Sequence, residues 1–289
     1  MSLIHVIILA VVQGLAELLP VSSSAHVIVA EKLLGMDPAA PETTLLLVML
    51  HTGTMFAVIV YFWRRWIRAF FQSAANFKNF IVALILATAL TGIIGLGLIE
   101  FIEKVLLRHQ PHAWFEQLFD RLDLISAALA AAGILILVAG LMKKAANSAD
   151  AEAHEITPTQ SLWIGAVQGF CLPFRGFSRS GATISTGLLA GVPKVRAEDF
   201  SFALAVILTP PAIAREAWRL IKTNHGQLGP LVHSAIEPSL LGALFAFLAG
   251  LLALKWLSRW LEEGRWYWFG VYCLVAAASI AFLHFHLGY

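Results

Sequence analysis

"QGLAELLPVSSSAH", residues 13–26, sets a carboxylate, a proline, three consecutive serines and a histidine inside an apolar N-terminal region. On a helix, Gln13 and Glu17 are four residues apart and share one face. Leu19 precedes Pro20 and is biased away from helix, so the chain is expected to break there. Ser22, Ser23 and Ser24 then stand at the start of the next helical piece, where unsatisfied backbone N–H groups and the positive dipole end gather. His26 follows within about one turn. Residues 3–34 therefore read as two pieces, each shorter than the ~20 residues that a spanning helix needs. Interrupted apolar segments of this kind make re-entrant hairpins, whose irregular backbone is tolerated where it lines a protected cavity.

A second region, 161–192, is broken in the same way by "LPFRGFSRSG". Gly176 loosens the backbone, Ser178, Arg179 and Ser180 sit at the break, and Gly181 and Thr183 open the helix that follows. The two regions are related. "VQG" occurs at 12–14 and again at 167–169, an offset of 155, and Trp63-Arg64 answers Trp218-Arg219 at the same offset. "SSS" at 22–24 answers "SRS" at 178–180, one residue further on. Together these matches outline a duplication covering about 12–64 and 167–219. Three full spans lie between the copies, and hairpins add no crossing, so the second copy enters from the opposite face. This is an inverted repeat, whose binding site lies where the discontinuous helices meet.

Six segments are long and apolar enough to span a bilayer: 45–63, 80–99, 122–142, 200–218, 239–257 and 266–286. The expected fold is an all-α polytopic membrane protein with six transmembrane helices and two re-entrant hairpins. It forms one integral membrane domain over 1–289, with a first half at 1–142, a polar linker at 143–160 and a second half at 161–289. Composition agrees. The 289 residues are 59% hydrophobic and 13% charged, with a mean hydropathy of +0.78, about half the charge of an ordinary soluble domain. A net charge of +2 without a basic run is too small to suggest nucleic acid, and none is expected as a partner. Cys171 and Cys273 lie in apolar stretches and read as packing residues. The first twenty residues carry no Lys or Arg and no small-residue cleavage site, so they are read as part of the mature protein. Alternating the spans puts 11 Lys and Arg on the side of loops 64–79, 143–160, 192–199 and 255–265, against 7 on the other. The positive-inside tendency makes the first side cytoplasmic.

Two helix N-termini converging from opposite faces, dressed with hydroxyls and Arg179, form an anion site suited to phosphate. Glu17 would repel a phosphate unless a cation lay between them. A divalent ion, Mg²⁺ or Ca²⁺, taking oxygen ligands from Glu17 and Gln13, resolves the conflict. A metal, an arginine, a serine and a histidine around phosphate are the parts needed for phosphoryl transfer. Blander roles stand beside these. Serine and glycine pack membrane helices, a lone histidine is often a satisfied interior residue, and Arg179 and Glu17 would also suit each other as an ion pair.

"QGLAELLPVSSSAH" and "GFSRSGATIS" resemble the two signature regions of the undecaprenyl-diphosphate phosphatases, the bacitracin-resistance proteins of bacteria. Gln13 and Glu17 match that family's [E/Q]xxxE motif, followed by its Pro-Val-Ser-Ser segment and histidine. Gly176, Ser178, Arg179, Ser180 and Thr183 match its PGxSRSxxT motif. "FWRR", "DFSFALAV" and the total length extend the resemblance across essentially the whole chain. It departs at Arg175, where the motif has proline, and at Ala25, where glycine is usual; neither change removes a reacting group. The resemblance implies hydrolysis of undecaprenyl diphosphate to the monophosphate and inorganic phosphate, dependent on a divalent cation. It implies recycling of the lipid carrier of peptidoglycan synthesis in the bacterial plasma membrane, with the site open to the outer face.

In the expected mechanism Ser23, with His26 as its base, or His26 itself attacks the terminal phosphorus, Glu17 holds the metal, and Arg179 clamps the non-bridging oxygens. Ser22, Ser24, Gly176, Ser178, Ser180 and Thr183 line the substrate site. Metal-bound water is a third candidate nucleophile, and a homodimer stays open. A transporter or flippase for the polyprenyl phosphate is the alternative, because inverted repeats with broken helices are common in transporters. A membrane acid phosphatase with an SRxxxxxHxxxD motif is excluded, since Ser185 and Leu189 occupy its histidine and aspartate positions.

Overall fold

The computed structural model describes residues 2–37, 40–106, 121–142, 155–223 and 229–287, and among them every regular element is helical. The chain runs α1 (Leu3–Leu18), α2 (Ser23–Leu33), α3 (Pro41–Phe70) and α4 (Ala74–Phe101), which continues into a π-helical turn (Ile102–Leu106). The rest is α5 (Leu122–Leu141), α6 (Pro158–Cys171), α7 (Arg179–Leu189), α8 (Lys194–Thr223), α9 (Gly229–Glu262) and α10 (Tyr267–Leu287). Six of these, α3, α4, α5, α8, α9 and α10, are long and apolar enough to cross a membrane. They coincide with the six expected spans. Several run well past them, because α3 continues through Trp63, Arg64 and Arg65 to Phe70 and α8 begins at Lys194.

The two interrupted regions are two pairs of short helices. α1 and α2 have 16 and 11 residues; α6 and α7 have 14 and 11. The linker boundary moves by three residues. Pro158–Gln160 form the first turn of α6, because Thr157 and Gln160 make a reciprocal capping box with proline at the helix start. The remainder of the expected linker, 143–154, lies outside the described residues.

Small residues fix how the helices meet. A Cβ on Gly14 would lie 2.6 Å from the Ala246 carbonyl oxygen and 2.7 Å from the Ala249 Cβ. One on Gly250 would lie 2.9 Å from the Leu18 side chain and 3.1 Å from Ala57, and Gly53 lies against Ala243. Numbers rise together along these contacts, so α1, α3 and α9 run in one direction. In the same way Gly165 meets Ala87, Gly169 meets Thr91 and Ile94, and Leu172 meets Gly95, so α6 runs parallel to α4. α3 turns back into α4 across residues 71–73, with Phe70 stacked on Phe80. α5 and α10 are antiparallel, with Gly140 on Tyr267 and Gly133 on Cys273.

Close backbone approach of this kind carries membrane helix packing, since lipid leaves little hydrophobic drive between helices. Gly14→Ala is therefore expected to destabilise the fold by about 1–3 kcal/mol, the usual cost of overpacking. Gly92→Ala, whose added Cβ meets nothing within 4 Å, should leave stability unchanged or slightly higher. Thermal unfolding of the purified protein in detergent compares the two, and equal midpoints would remove the packing account.

Candidate active site

The first helix pair breaks where the sequence turns polar. α1 ends at Leu18, Leu19 is extended, and a turn over 19–21 leads to Ser22. Ser22 has φ 69° and ψ 97°, and it is the one non-glycine residue with positive φ among the described residues. Such a conformation costs about 1–3 kcal/mol and persists where neighbours impose it. Its Oγ accepts the Ala25 N–H at 3.4 Å, capping α2, and lies 3.2 Å from the Ser24 Oγ. Its carbonyl accepts from the His26 backbone N–H at 3.4 Å and from His26 Nδ1 at 2.8 Å. The other ring nitrogen, Nε2, is 2.7 Å from the Tyr272 hydroxyl on α10, with the rings stacked.

The second break is shaped by a glycine and a cap. Gly176 has φ 97°, and a Cβ there would collide with the Ile125 carbonyl oxygen, so both conformation and space call for glycine. Ser178 caps α7 by accepting the Gly181 N–H at 3.2 Å. Thr183 turns inward, donating to the Arg179 carbonyl at 2.8 Å and meeting the Ser201 Oγ at 2.6 Å. Ser178, Ser180 and Thr183 are all buried.

Three hydrogen bonds join the two breaks. The Gly176 N–H donates to Ser24 Oγ at 3.1 Å, Ser180 Oγ donates to the Leu19 carbonyl at 3.3 Å, and Arg179 Nη2 donates to Glu17 Oε1 at 3.2 Å. Glu17 is the hub. Its Oε2 accepts from Ser23 Oγ at 2.5 Å and from Gln13 Nε2 at 3.2 Å, and His51 Nε2 lies 3.8 Å away. One carboxylate thus holds a candidate nucleophile on one oxygen and a guanidinium on the other. Both charged partners are largely covered, with the Glu17 and Arg179 side chains 17% and 23% exposed, so their attraction is screened less than on an open surface.

Gln13, Glu17, Ser23 and Arg179 therefore converge as the sequence suggests, across 162 positions of chain between Glu17 and Arg179. Ser24 and Ser180 bridge the halves, while Ser22 and Ser178 are caps. His26 faces Tyr272 and the Ser22 carbonyl. The hydroxyl of Ser23 donates to the carboxylate of Glu17, not to His26. Two neighbours escaped the sequence reading. His51 lies on α3, with Nδ1 on the Leu47 carbonyl at 2.8 Å. A polar "HTGT" in the middle of an apolar span was its signal, since an ionisable residue at membrane depth is a functional pointer. Tyr272 had no such signal, because an aromatic in the last span looks like any lipid-facing ring.

The second helix pair lacks the hub. The counterpart of Gln13 at the 155-residue offset is Gln168, which donates to Thr91 Oγ1 at 3.1 Å in the buried α4–α6 contact. The counterpart of Glu17 is Leu172. The carboxylate exists once.

Among the described residues, no three His, Cys, Asp or Glu side chains gather to hold a metal unaided. The oxygen donors present are one carboxylate, an amide and a hydroxyl, all hard groups, with the His51 ring nitrogen beside the carboxylate. Such a set fits a Mg²⁺ or Ca²⁺ whose other ligands are substrate phosphate oxygens and water, the usual mode for Mg²⁺.

Residues 6–279 match the protein family described as bacitracin resistance protein BacA. Over 283 residues the chain is 54% identical to "Undecaprenyl-diphosphatase 2" of Acinetobacter baylyi, covering 97% of each protein. It is 35% identical over 287 residues to "Undecaprenyl-diphosphatase 2" of Burkholderia ambifaria, covering 96% of this chain and 95% of that one. It is 32% identical over 285 residues to "Undecaprenyl-diphosphatase" of Rhodopirellula baltica, covering 98% of each.

Proposed function

The chain belongs to the bacitracin resistance protein BacA family, and from that premise we propose that it hydrolyses undecaprenyl diphosphate at the junction of its two helix pairs. The products are undecaprenyl phosphate and inorganic phosphate. The observation that carries this is the Ser23 Oγ–Glu17 Oε2 contact of 2.5 Å, with Arg179 on the opposite carboxylate oxygen. A nucleophile within hydrogen-bond reach of a base that is itself oriented by a third group is the signature of covalent catalysis.

Ser23 Oγ attacks the terminal phosphorus while Glu17 takes its proton. The bond from that phosphorus to the bridging oxygen breaks, and undecaprenyl phosphate leaves with the proton that Glu17 gives up. Water then attacks the phosphoserine as Glu17 removes its proton, which passes to Ser23 Oγ as inorganic phosphate departs. Arg179 follows the developing charge on the non-bridging oxygens, helped by the N-terminus of α7 at which it sits. Glu17 and Gln13 would hold a divalent cation, which supplies charge neutralisation for the diphosphate.

The protein is a multi-pass membrane protein. We further propose that each short helix pair is a re-entrant hairpin and that the halves form an inverted repeat. In support, α1 runs with α9 and α6 with α4, while α4 turns back from α3, which runs with α9. The two hairpins then enter from opposite faces of a bacterial inner membrane, and the site opens to the outer side. Impermeant thiol reagents test this in a chain with Cys171 and Cys273 replaced. A cysteine at Asp37 should label in intact cells and one at Glu155 only after permeabilisation. Labelling of both from one side would remove the inverted repeat.

Phosphate release from undecaprenyl diphosphate by the purified protein in detergent, with and without chelator, tests the activity itself. Release should stop with chelator and resume with added Mg²⁺ or Ca²⁺. Glu17→Gln removes the base together with the ligand charge, so phosphate release should fall at least about 10²-fold at every cation concentration, and cation binding, read by calorimetry on the purified protein, should weaken sharply; unchanged binding would remove Glu17 as a ligand. A protein that binds the lipid and releases no phosphate under any metal condition would instead favour a flippase, for which the relatives' names offer no support.

A further inference from the structure

Ser22 is the strained residue of the site, and it directly precedes the proposed nucleophile. Its backbone direction therefore sets where Ser23 Oγ points. What holds a serine at φ 69° is visible in the bonds around it. The Ser22 carbonyl is gripped twice by His26, through the backbone N–H and through ring Nδ1. A carbonyl can only accept, so Nδ1 carries the ring proton and a neutral imidazole presents a lone pair at Nε2. The Tyr272 O–H, 2.7 Å away, donates to that lone pair. Tyr272 belongs to α10, which is neither helix of the hairpin and is anchored against α5 at Gly133 and Gly270. The ring is thus fixed in tautomer and orientation from outside the strained turn.

We propose that Tyr272 is a positioning residue for the phosphatase reaction, acting through His26 to hold Ser22 in its left-handed backbone and so aim Ser23 at Glu17. This rests on Ser23 being the nucleophile. It assigns His26 the work of a brace, since both its ring nitrogens are occupied away from the Ser23 hydroxyl. His26 as base would require one of those nitrogens to leave its partner.

The discriminating experiment uses a backbone that no longer needs bracing. Glycine occupies positive φ without penalty, and asparagine tolerates it. Steady-state phosphate release is measured for Tyr272→Phe in the unaltered chain and in Ser22→Gly or Ser22→Asn chains, whichever of the two retains more activity. Tyr272→Phe alone should lower kcat about 5–20-fold with KM within about twofold, the split of an interaction that shapes the reacting geometry rather than binding. Combined with Ser22→Gly or Ser22→Asn, the same change should cost less than about twofold, because the turn then holds its conformation unaided. His26→Ala should be partly rescued by the same second substitution.

An equal loss from Tyr272→Phe in both backgrounds, or none in either, overturns the proposal. So does a loss carried by KM, which would make Tyr272 a substrate contact. A His26→Ala loss of about 10²–10⁴, the usual worth of general acid–base catalysis, with no rescue, would return His26 to the role of base. Ser23→Ala is the control. If it keeps activity, the serine mechanism fails on its own account, whatever Tyr272 does.

Discussion

Ser23→Ala is expected to slow phosphate release from undecaprenyl diphosphate by at least about 10³-fold, with the protein folded and still extractable as before. The side chain is small, partly exposed and bonded to Glu17, so its removal opens no core cavity. What it removes is the atom that in the proposed mechanism forms the new bond to phosphorus, and the loss of a covalent nucleophile is among the largest single effects known in enzymes. Rapid quenching should trap an acid-stable phosphoserine in the unaltered protein and none in the variant. If Ser23→Ala keeps a tenth of the activity, water attacks directly and Glu17 serves the water instead.

Arg179→Ala should cost about 10²–10³-fold in kcat, the range found when a preorganised donor to developing charge is removed. KM should change far less. Arg179→Lys should recover only part, because an ammonium offers a point charge where a planar guanidinium spans two oxygens. The residue is held at the first position of α7, behind the Ser178 cap, so the helix start survives the substitution. Retention of a tenth or more of the activity in Arg179→Ala would remove the clamp assignment.

The general plan was legible because its signals are local. Leu19-Pro20 and Gly176 break helices for reasons contained in two or three residues, and six apolar stretches of spanning length admit few other structures. The pairing of Glu17 with Arg179 was readable as one of two alternatives, and the structure has that ion pair. The partner of Ser23 was not readable. Whether a serine reaches a histidine three positions later or a carboxylate six positions earlier depends on the Ser22 backbone angle, which no residue-level preference dictates. His51 and Tyr272 arrive from α3 and α10 through helix packing, and sequence distance says nothing of such meetings. The helix start at Pro158 was missed for a smaller reason: its capping box stands in a polar stretch that resembles a linker.

The lone carboxylate has a genetic consequence. With Leu172 standing where the second half's acid would be, Glu17 and the proposed nucleophile Ser23 belong to one half and the proposed clamp Arg179 to the other. Neither can drift independently, so lesions in both halves belong to one complementation group. Two full-length dead chains, one altered at Ser23 and one at Arg179, cannot rescue each other while each site draws on a single chain. Two half-chains divided between Met142 and Glu155 and made side by side are expected to rejoin, because the contacts of α1 with α9, α4 with α6 and α5 with α10 all cross between the halves.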